Sequence, residues 1–247
     1  MAATVSPEPW FPADQPIRIG ALIFPDMDQM DLTGPYSVLC RLTSLPVQLF
    51  WKTKESIRDQ SGLRLSPDAS LAEAEPLDLL LVPGGYGQQA LMNDDAVLEF
   101  VARQSVAARL TFSVCTGSLI CGAAGLLQGK KATTHWTALH LLKYFGAIPT
   151  NERVVVDGDL VTAAGLTSGI DGALRVAAML RGEEVARQIQ LAIQYAPEPP
   201  FSSGSPEVAS PETLAHVREQ TSGITSQRLA TAIEVARRLG IDVSDTA

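Results

Sequence analysis

Apolar residues along the chain recur in two patterns, which together predict alternating strands and helices. Short runs that are apolar almost throughout are typical of strands covered on both faces of a sheet; they occupy residues 17–24, 47–51, 77–82 and 110–114. Segments with apolar residues at helical spacing lie between and after them; we predict helices over 31–41, 94–107, 116–127, 137–145, 167–181, 183–195 and 225–239. This alternation predicts an α/β sandwich with a mainly parallel sheet.

Three segments of different character divide the chain. Residues 17–195 carry the alternating strands and helices, including a hairpin around Asp157-Gly158, and predict one α/β domain. Residues 1–16 are rich in proline and contain no Lys or Arg, so they lack the features of a signal peptide and predict a flexible leader or a surface strap. Pro, Ser and Gly accumulate from 196 to 211, which predicts that residues 196–247 form a strap and a C-terminal helix.

Charge and cysteine usage disfavour several classes of function. The chain has 247 residues and a formal net charge of −8, which argues against nucleic-acid binding because that requires a basic surface. No apolar run approaches the roughly 20 residues of a membrane helix. Three cysteines without a CxxC spacing argue against disulfides and zinc, so we expect a cytoplasmic protein. We expect no metal and no cofactor, since the glycine patterns of nucleotide sites are also missing.

Residues 113–117, Ser-Val-Cys-Thr-Gly, are the strongest chemical signal in the sequence. Small residues flank a nucleophile between a predicted strand and a predicted helix, which is typical of a nucleophile elbow. The elbow places the sulfur of Cys115 at a helix N-terminus, where the helix dipole and unpaired N–H groups favour the thiolate. The alternative is an inert buried cysteine, which is our prediction for Cys40 and Cys121 because cysteine often packs as a small apolar residue.

Asp31 is the second candidate, because it follows the first predicted strand. The carboxyl ends of parallel strands meet at one crevice, so we expect Asp31 to lie near Cys115. Burial and a neighbouring thiolate would raise the pKa of its carboxyl group, which suits a general acid and base. The alternative is a helix cap.

Two further features lie at the same predicted edge of the sheet. The backbone amides of Gly84 and Gly85, together with that of Thr116, are candidate donors to a developing negative charge; the alternative is a simple turn. The Thr116 hydroxyl either binds a substrate or satisfies local backbone. His135 invites a Cys–His pair, but its position after an exposed-looking segment on another element argues against a role as base.

With these residues assembled, the chain resembles the ThiJ/PfpI superfamily, whose members are flavodoxin-like three-layer sandwiches related to class I glutamine amidotransferases. Within it, the chain is similar to the isocyanide hydratases; the matching segments are 24–35, 81–85, 113–136, 152–162, 165–171 and 190–207. The resemblance implies hydration of an isocyanide to an N-substituted formamide, with Cys115 as nucleophile, Asp31 as general acid and base, and Thr116 assisting. It also implies a homodimer.

Some positions depart from the family pattern. Ala163-Ala164 replaces a glycine run, Gly172 stands where a bulky residue is expected, and Tyr86 follows the Pro-Gly-Gly turn where a smaller residue is usual. We expect Tyr86 at the pocket mouth. Two alternatives remain: glyoxalase- or chaperone-like activity on reactive carbonyls, and a ligand-sensing domain related to transcriptional regulators. The second is disfavoured because too few residues follow Pro211 for a fused helix-turn-helix pair.

Overall fold

The computed structural model describes residues 8–242, which form an α/β sandwich around a mainly parallel sheet. In chain order the elements are β1 (Ile19–Leu22), α1 (Gln29–Leu39), β2 (Gln48–Trp51), β3 (Ile57–Arg58), β4 (Arg64–Leu65), β5 (Ala69–Ser70), β6 (Leu79–Val82), α2 (Gln88–Leu91), α3 (Asp95–Ala107), β7 (Leu110–Val114), α4 (Gly117–Ala123), β8 (Lys131–Ala132), a 3₁₀ helix (Trp136–Phe145), β9 (Ile148–Pro149), β10 (Val154–Asp157), β11 (Leu160–Ala163), α5 (Ser168–Arg181), α6 (Glu183–Ala192) and α7 (Pro211–Leu239). The expected fold class is confirmed.

The large sheet has the strand order β10-β11-β7-β6-β1-β2-β5. Neighbouring strands run parallel except β10 and β11, which form the predicted hairpin. The three strands β7, β6 and β1 are adjacent and buried along their whole length, which explains why their sequences are apolar on both faces. Their carboxyl ends therefore meet at one edge of the sheet, where the loops after them converge.

The helices pack against the sheet in groups. On the evidence of their contacts, α1 packs on α5, and α5 contacts β7 and β11, whereas α3 and α4 pack on each other and on β6. The last helix, α7, packs on the 3₁₀ helix and on α2. No helix in the described part of the chain is both long and apolar enough to span a membrane.

Several predicted boundaries were wrong, most of all that of the last helix. It begins at Pro211 rather than at residue 225. Ser210 caps it, because its hydroxyl accepts a hydrogen bond from the Thr213 N–H at 3.2 Å, and Pro211 occupies the first turn. The first half of α7 is largely polar, and its apolar residues Leu214, Val217 and Ile224 are too few for periodicity alone to indicate a helix start at 211.

Three other predicted helices differ in the structure. The helix predicted over 116–127 ends at Ala123, just before Gly125, whose positive φ of 85° favours a helix end. The helix predicted over 183–195 ends at Ala192. The segment predicted as a helix over 137–145 is a 3₁₀ helix.

The N-terminal segment lies across the body as a strap. Residues 1–7 of the predicted leader are outside the described residues. Further along, the Trp10 and Phe11 N–H groups donate to the carbonyls of Met179 and Leu180, both at 3.1 Å. Phe11 is only 2% exposed. These contacts attach the strap to the end of α5.

Candidate active site

Cys115 occupies a strained turn between β7 and α4. Its φ is +55°, a value that non-glycine residues rarely adopt and that is typical of a nucleophile elbow. Two backbone contacts hold the turn: the Cys115 N–H donates to the Ala163 carbonyl at 3.0 Å, and the Thr134 hydroxyl donates to the Cys115 carbonyl at 2.8 Å. A Cβ at Gly117 would lie 2.1 Å from the Val82 carbonyl oxygen, so this position of the elbow requires glycine.

The pKa of the Cys115 thiol is raised well above its ordinary value. Burial is the main cause and the neighbouring Asp31 charge adds to it, whereas the Thr116 N–H and the Arg228 charge lower it. The Thr116 N–H at the start of α4 favours the thiolate, as expected of a helix N-terminus, but desolvation by burial outweighs it.

Asp31 lies in the first turn of α1 and is 0% exposed. The helix cap is a different residue, Asp28, whose carboxylate accepts from the Met30 N–H at 2.9 Å. Oδ2 of Asp31 accepts from the Gly84 N–H at 3.0 Å, while Oδ1 has no hydrogen-bond partner among the described residues. Burial, and next the Asp28 charge, raise the pKa of Asp31 to about 7. The thiol of Cys115 interacts with the same carboxyl group, so the expected proximity is present.

The amides of Gly84 and Gly85 have protein partners already. The Gly84 N–H binds Asp31, and the Gly85 N–H donates to the Thr116 hydroxyl oxygen at 3.2 Å. That hydroxyl in turn donates to the Gly85 carbonyl at 3.4 Å. In this structure the two amides hold Asp31 and Thr116 in place instead of facing a substrate. Of the two roles considered for the Thr116 hydroxyl, the geometry corresponds to satisfying local backbone.

A cavity of about 300 Å³ opens onto Cys115. Asp28, Gly85, Tyr86 and Thr116 contribute to its lining, and Tyr86 is 51% exposed, as expected of a residue at the mouth. The cavity is enclosed on several sides yet open to solvent at one end, so it can admit a small molecule to the thiol.

His135 also lines this cavity, although the sequence placed it away from the nucleophile. Its Nδ1 lies 2.8 Å from the Thr137 hydroxyl oxygen. Burial, followed by the Arg228 charge, lowers the pKa of His135 to about 4, so the ring is neutral near pH 7. In the described part of the chain, residues 8–242, His135 and Cys115 are not hydrogen-bonded to each other. They therefore do not form a Cys–His pair.

The C-terminal helix supplies a whole wall of the cavity, which the sequence reasoning missed. The lining residues of α7 are Val217, Gln220, Thr221, Ile224 and Arg228. They are spaced by three, one, three and four positions, so they share one helix face. Arg228 is only 5% exposed. A signal was available, because the Ser-Pro-Glu sequence at 210–212 is typical of a helix start.

The remaining predicted positions lie outside the cavity. Cys121 is fully buried in the core, and Cys40 is partly buried against the same core. Both cysteines are therefore packing residues, as expected. Gly172 is explained by close packing, since a Cβ there would lie 2.7 Å from the Phe112 ring. Ala164 lines a second cavity of about 610 Å³. Among residues 8–242, no cluster of His, Cys, Asp or Glu has the grouping of a metal site.

Comparison with known proteins gives a consistent result. Residues 17–179 match the sequence profile of the DJ-1/PfpI family. An isonitrile hydratase from Pseudomonas putida is 44% identical over 91% of this chain and 99% of its own length. A THiJ/PfpI family protein from Pseudomonas syringae has a TM-score of 0.87 and 36% identity, covering 94% of this chain and 98% of that one. Protein DJ-1alpha of Drosophila melanogaster is 28% identical over 72% of this chain and 84% of its own length. The resemblance found in the sequence is confirmed: this chain belongs to the DJ-1/PfpI family.

Proposed function

We propose that this protein is an isocyanide (isonitrile) hydratase that converts an isocyanide to an N-substituted formamide. The observation that carries the proposal is the buried pair of Cys115 and Asp31, with an unpartnered carboxyl oxygen beside a thiol. The hydratase from P. putida, similar over nearly its full length, supports the same reaction. An isocyanide carbon accepts both a nucleophile and a proton, and this pair supplies both.

The first step forms a covalent intermediate. The Cys115 sulfur attacks the terminal carbon of the isocyanide, and Asp31 takes the thiol proton and passes it to that same carbon. A C–S bond and a C–H bond form, and the product is an S-linked thioimidate. A carboxyl group whose pKa is about 7 suits this transfer, because it both accepts and releases a proton near neutral pH.

The second step releases the formamide. Water adds to the thioimidate carbon while Asp31 takes a proton from the water and passes it to the nitrogen. The tetrahedral adduct then collapses: the C–S bond breaks, the carbonyl forms and the proton returns to sulfur. The bond between nitrogen and its substituent is never cut, so the reaction is hydration and not amide hydrolysis. In this scheme, Thr116 fixes the Gly85 turn next to the nucleophile.

The cavity takes a small-molecule substrate of modest size, as its volume of about 300 Å³ indicates. Tyr86 at the mouth contacts the substituent on nitrogen. We infer in addition that the protein works as a homodimer, on the basis of its family.

Formation of N-formamide from an aromatic isocyanide tests the proposal by ultraviolet absorbance. We expect wild type to produce the formamide and the variant Cys115→Ala to produce none. Methylglyoxal, run in parallel, tests the alternative carbonyl chemistry. Consumption of methylglyoxal without any formamide product would overturn the hydratase assignment.

A further inference from the structure

The wall formed by α7 lies outside the part of the chain that defines the family. The family match ends at residue 179, whereas the wall is built from residues between 217 and 228. The Drosophila relative covers 72% of this chain, but the P. putida hydratase covers 91%. The helix therefore lies outside the segment that the family match covers.

Arg228 connects this helix to the residues around the nucleophile. Its Nε donates to Oε1 of Gln88 at 3.0 Å, and its Nη2 donates to the Gly85 carbonyl at 2.8 Å. The same carbonyl accepts from the Thr116 hydroxyl. Arg228 thus binds the turn that also holds Thr116 and, through the adjacent Gly84 amide, Asp31.

The charge of Arg228 is not neutralised by an ion pair. Among the described residues it is the only Lys or Arg that lines the cavity, and no carboxylate within residues 8–242 forms a salt bridge with it. A buried guanidinium is costly to desolvate unless it faces negative charge. The Cys115 thiolate that develops in the reaction supplies negative charge near Arg228.

The groups that face Cys115 come from several elements. Asp31 and Asp28 approach from α1 and its cap, the Thr116 N–H from α4, and Arg228 from α7. Both carboxylates raise the pKa of the Cys115 thiol. The guanidinium of Arg228 lowers this pKa and so opposes their effect. His135 is neutral near pH 7 and supplies no charge.

We propose that Arg228 is a positioning residue for the reaction of Cys115: it holds the Gly84-Gly85 turn from α7 and places positive charge where the thiolate develops. The inference deepens the proposed function and rests on it. Arginine suits both tasks better than lysine, because its planar fork forms two directed hydrogen bonds while it carries the charge.

The rate of alkylation of Cys115 by iodoacetamide, followed by mass spectrometry across pH, isolates the electrostatic role. For Arg228→Met we expect a higher thiol pKa and a rate at pH 8 that is lower by roughly tenfold. For Arg228→Lys we expect alkylation close to wild type. The hydratase kcat of the lysine variant should still fall by about tenfold, since lysine cannot keep both hydrogen bonds.

Arg238→Met is the matched control. Arg238 lies on the same helix and binds the body through Asn93 Oδ1 at 3.0 Å and the Met92 carbonyl at 2.9 Å. It does not line the cavity, so neither alkylation nor kcat should change. Equal shifts in Arg228→Met and Arg238→Met would show that loosening the helix is the cause, and would overturn the proposal.

Wild-type pH dependence of alkylation in Arg228→Met would also overturn the proposal. Should this variant fail to fold, an unchanged kcat in Arg228→Lys would contradict the positioning role. The alkylation assay needs no isocyanide. If the wild-type protein makes no formamide, the proposed function is refuted, but the measured pKa of the Cys115 thiol remains valid.

Discussion

Oδ2 of Asp31 accepts a hydrogen bond of 3.0 Å from the Gly84 N–H, which joins the first turn of α1 to the loop after β6. One carboxyl oxygen is fixed by backbone, and the other is left without a partner in the described part of the chain. A rotation about the side chain would break this hydrogen bond, which orients the carboxyl group. The carboxyl group is therefore held in one orientation, with Oδ1 available for proton transfer.

Replacing Cys115 by Ala should remove the proposed hydratase activity and leave the fold intact. The thiol is the nucleophile of the scheme, and losing a covalent catalyst costs more than about 10³-fold in kcat. The measurement is formamide production at saturating isocyanide, with circular dichroism to verify folding. Cys40→Ala is the control, because Cys40 directly follows α1 and does not line the cavity. Full activity in Cys115→Ala would refute the covalent mechanism.

Replacing Asp31 by Asn should separate turnover from thiol reactivity. We expect kcat to fall by roughly 10²- to 10⁴-fold, since the proton carrier is lost. Alkylation of Cys115 at neutral pH should instead become faster, because the Asp31 charge raises the pKa of the thiol. Asp95→Asn, at an exposed first-turn position of α3, should change neither quantity. Slower alkylation in Asp31→Asn would contradict the assigned electrostatics.

Asp31 should also make stability depend on pH. Its pKa is raised from 3.8 to about 7, so between those values the native state binds more protons than the unfolded chain. The free energy of unfolding of the wild type therefore falls as pH rises through this window, by up to about 4 kcal/mol from this group. Below pH 4 both states are protonated, so this contribution to stability is fully present and no longer changes with pH.

Asp31→Asn lacks this ionisation and is the direct test. Urea unfolding at pH 4 and pH 8 should show that the variant gains stability relative to wild type at the higher pH. A difference between the two proteins that is the same at both pH values would mean that the carboxyl group ionises with an ordinary pKa.

Gly172→Ala should destabilise the protein even though alanine favours a helix. The added Cβ would lie 2.7 Å from the Phe112 ring, and overpacking of this kind costs about 1–3 kcal/mol. Chemical denaturation gives the change in unfolding free energy. The double variant Gly172→Ala with Phe112→Leu should recover part of the loss, because the smaller side chain makes room. Additive losses would show that the contact is not the cause.

The sheet and the elbow could be predicted because their signals are local. The strands show as runs that are apolar almost throughout, of which β1, β6 and β7 are buried along their whole length. The small residues around Cys115 follow from the tight turn itself. Asp31 could be placed near the nucleophile since parallel strands end at one edge. The family resemblance agreed with each of these predictions.

The rest depends on tertiary contacts that no local pattern contains. The raised pKa of Cys115 results mainly from burial, which depends on the tertiary structure. His135 reaches the cavity because it lies at the start of the 3₁₀ helix. Arg228 also lines the cavity, although it is about 110 positions after Cys115 in the sequence. The first half of α7 is largely polar because its inner face lines a cavity instead of the core.

The placement of the cavity wall on α7 has an evolutionary consequence. The nucleophile and its carboxyl partner lie at the ends of buried elements, Cys115 directly after β7 and Asp31 in the first turn of α1, where most substitutions disturb the packing of the core. The wall is built on a helix whose residues Val217 and Thr221 touch the cavity and carry little of the core. Mutations at such positions can change which molecules reach the thiol while the catalytic centre stays constant. New substrate preferences can thus arise through successive substitutions in one helix, while every variant along the way stays folded and active.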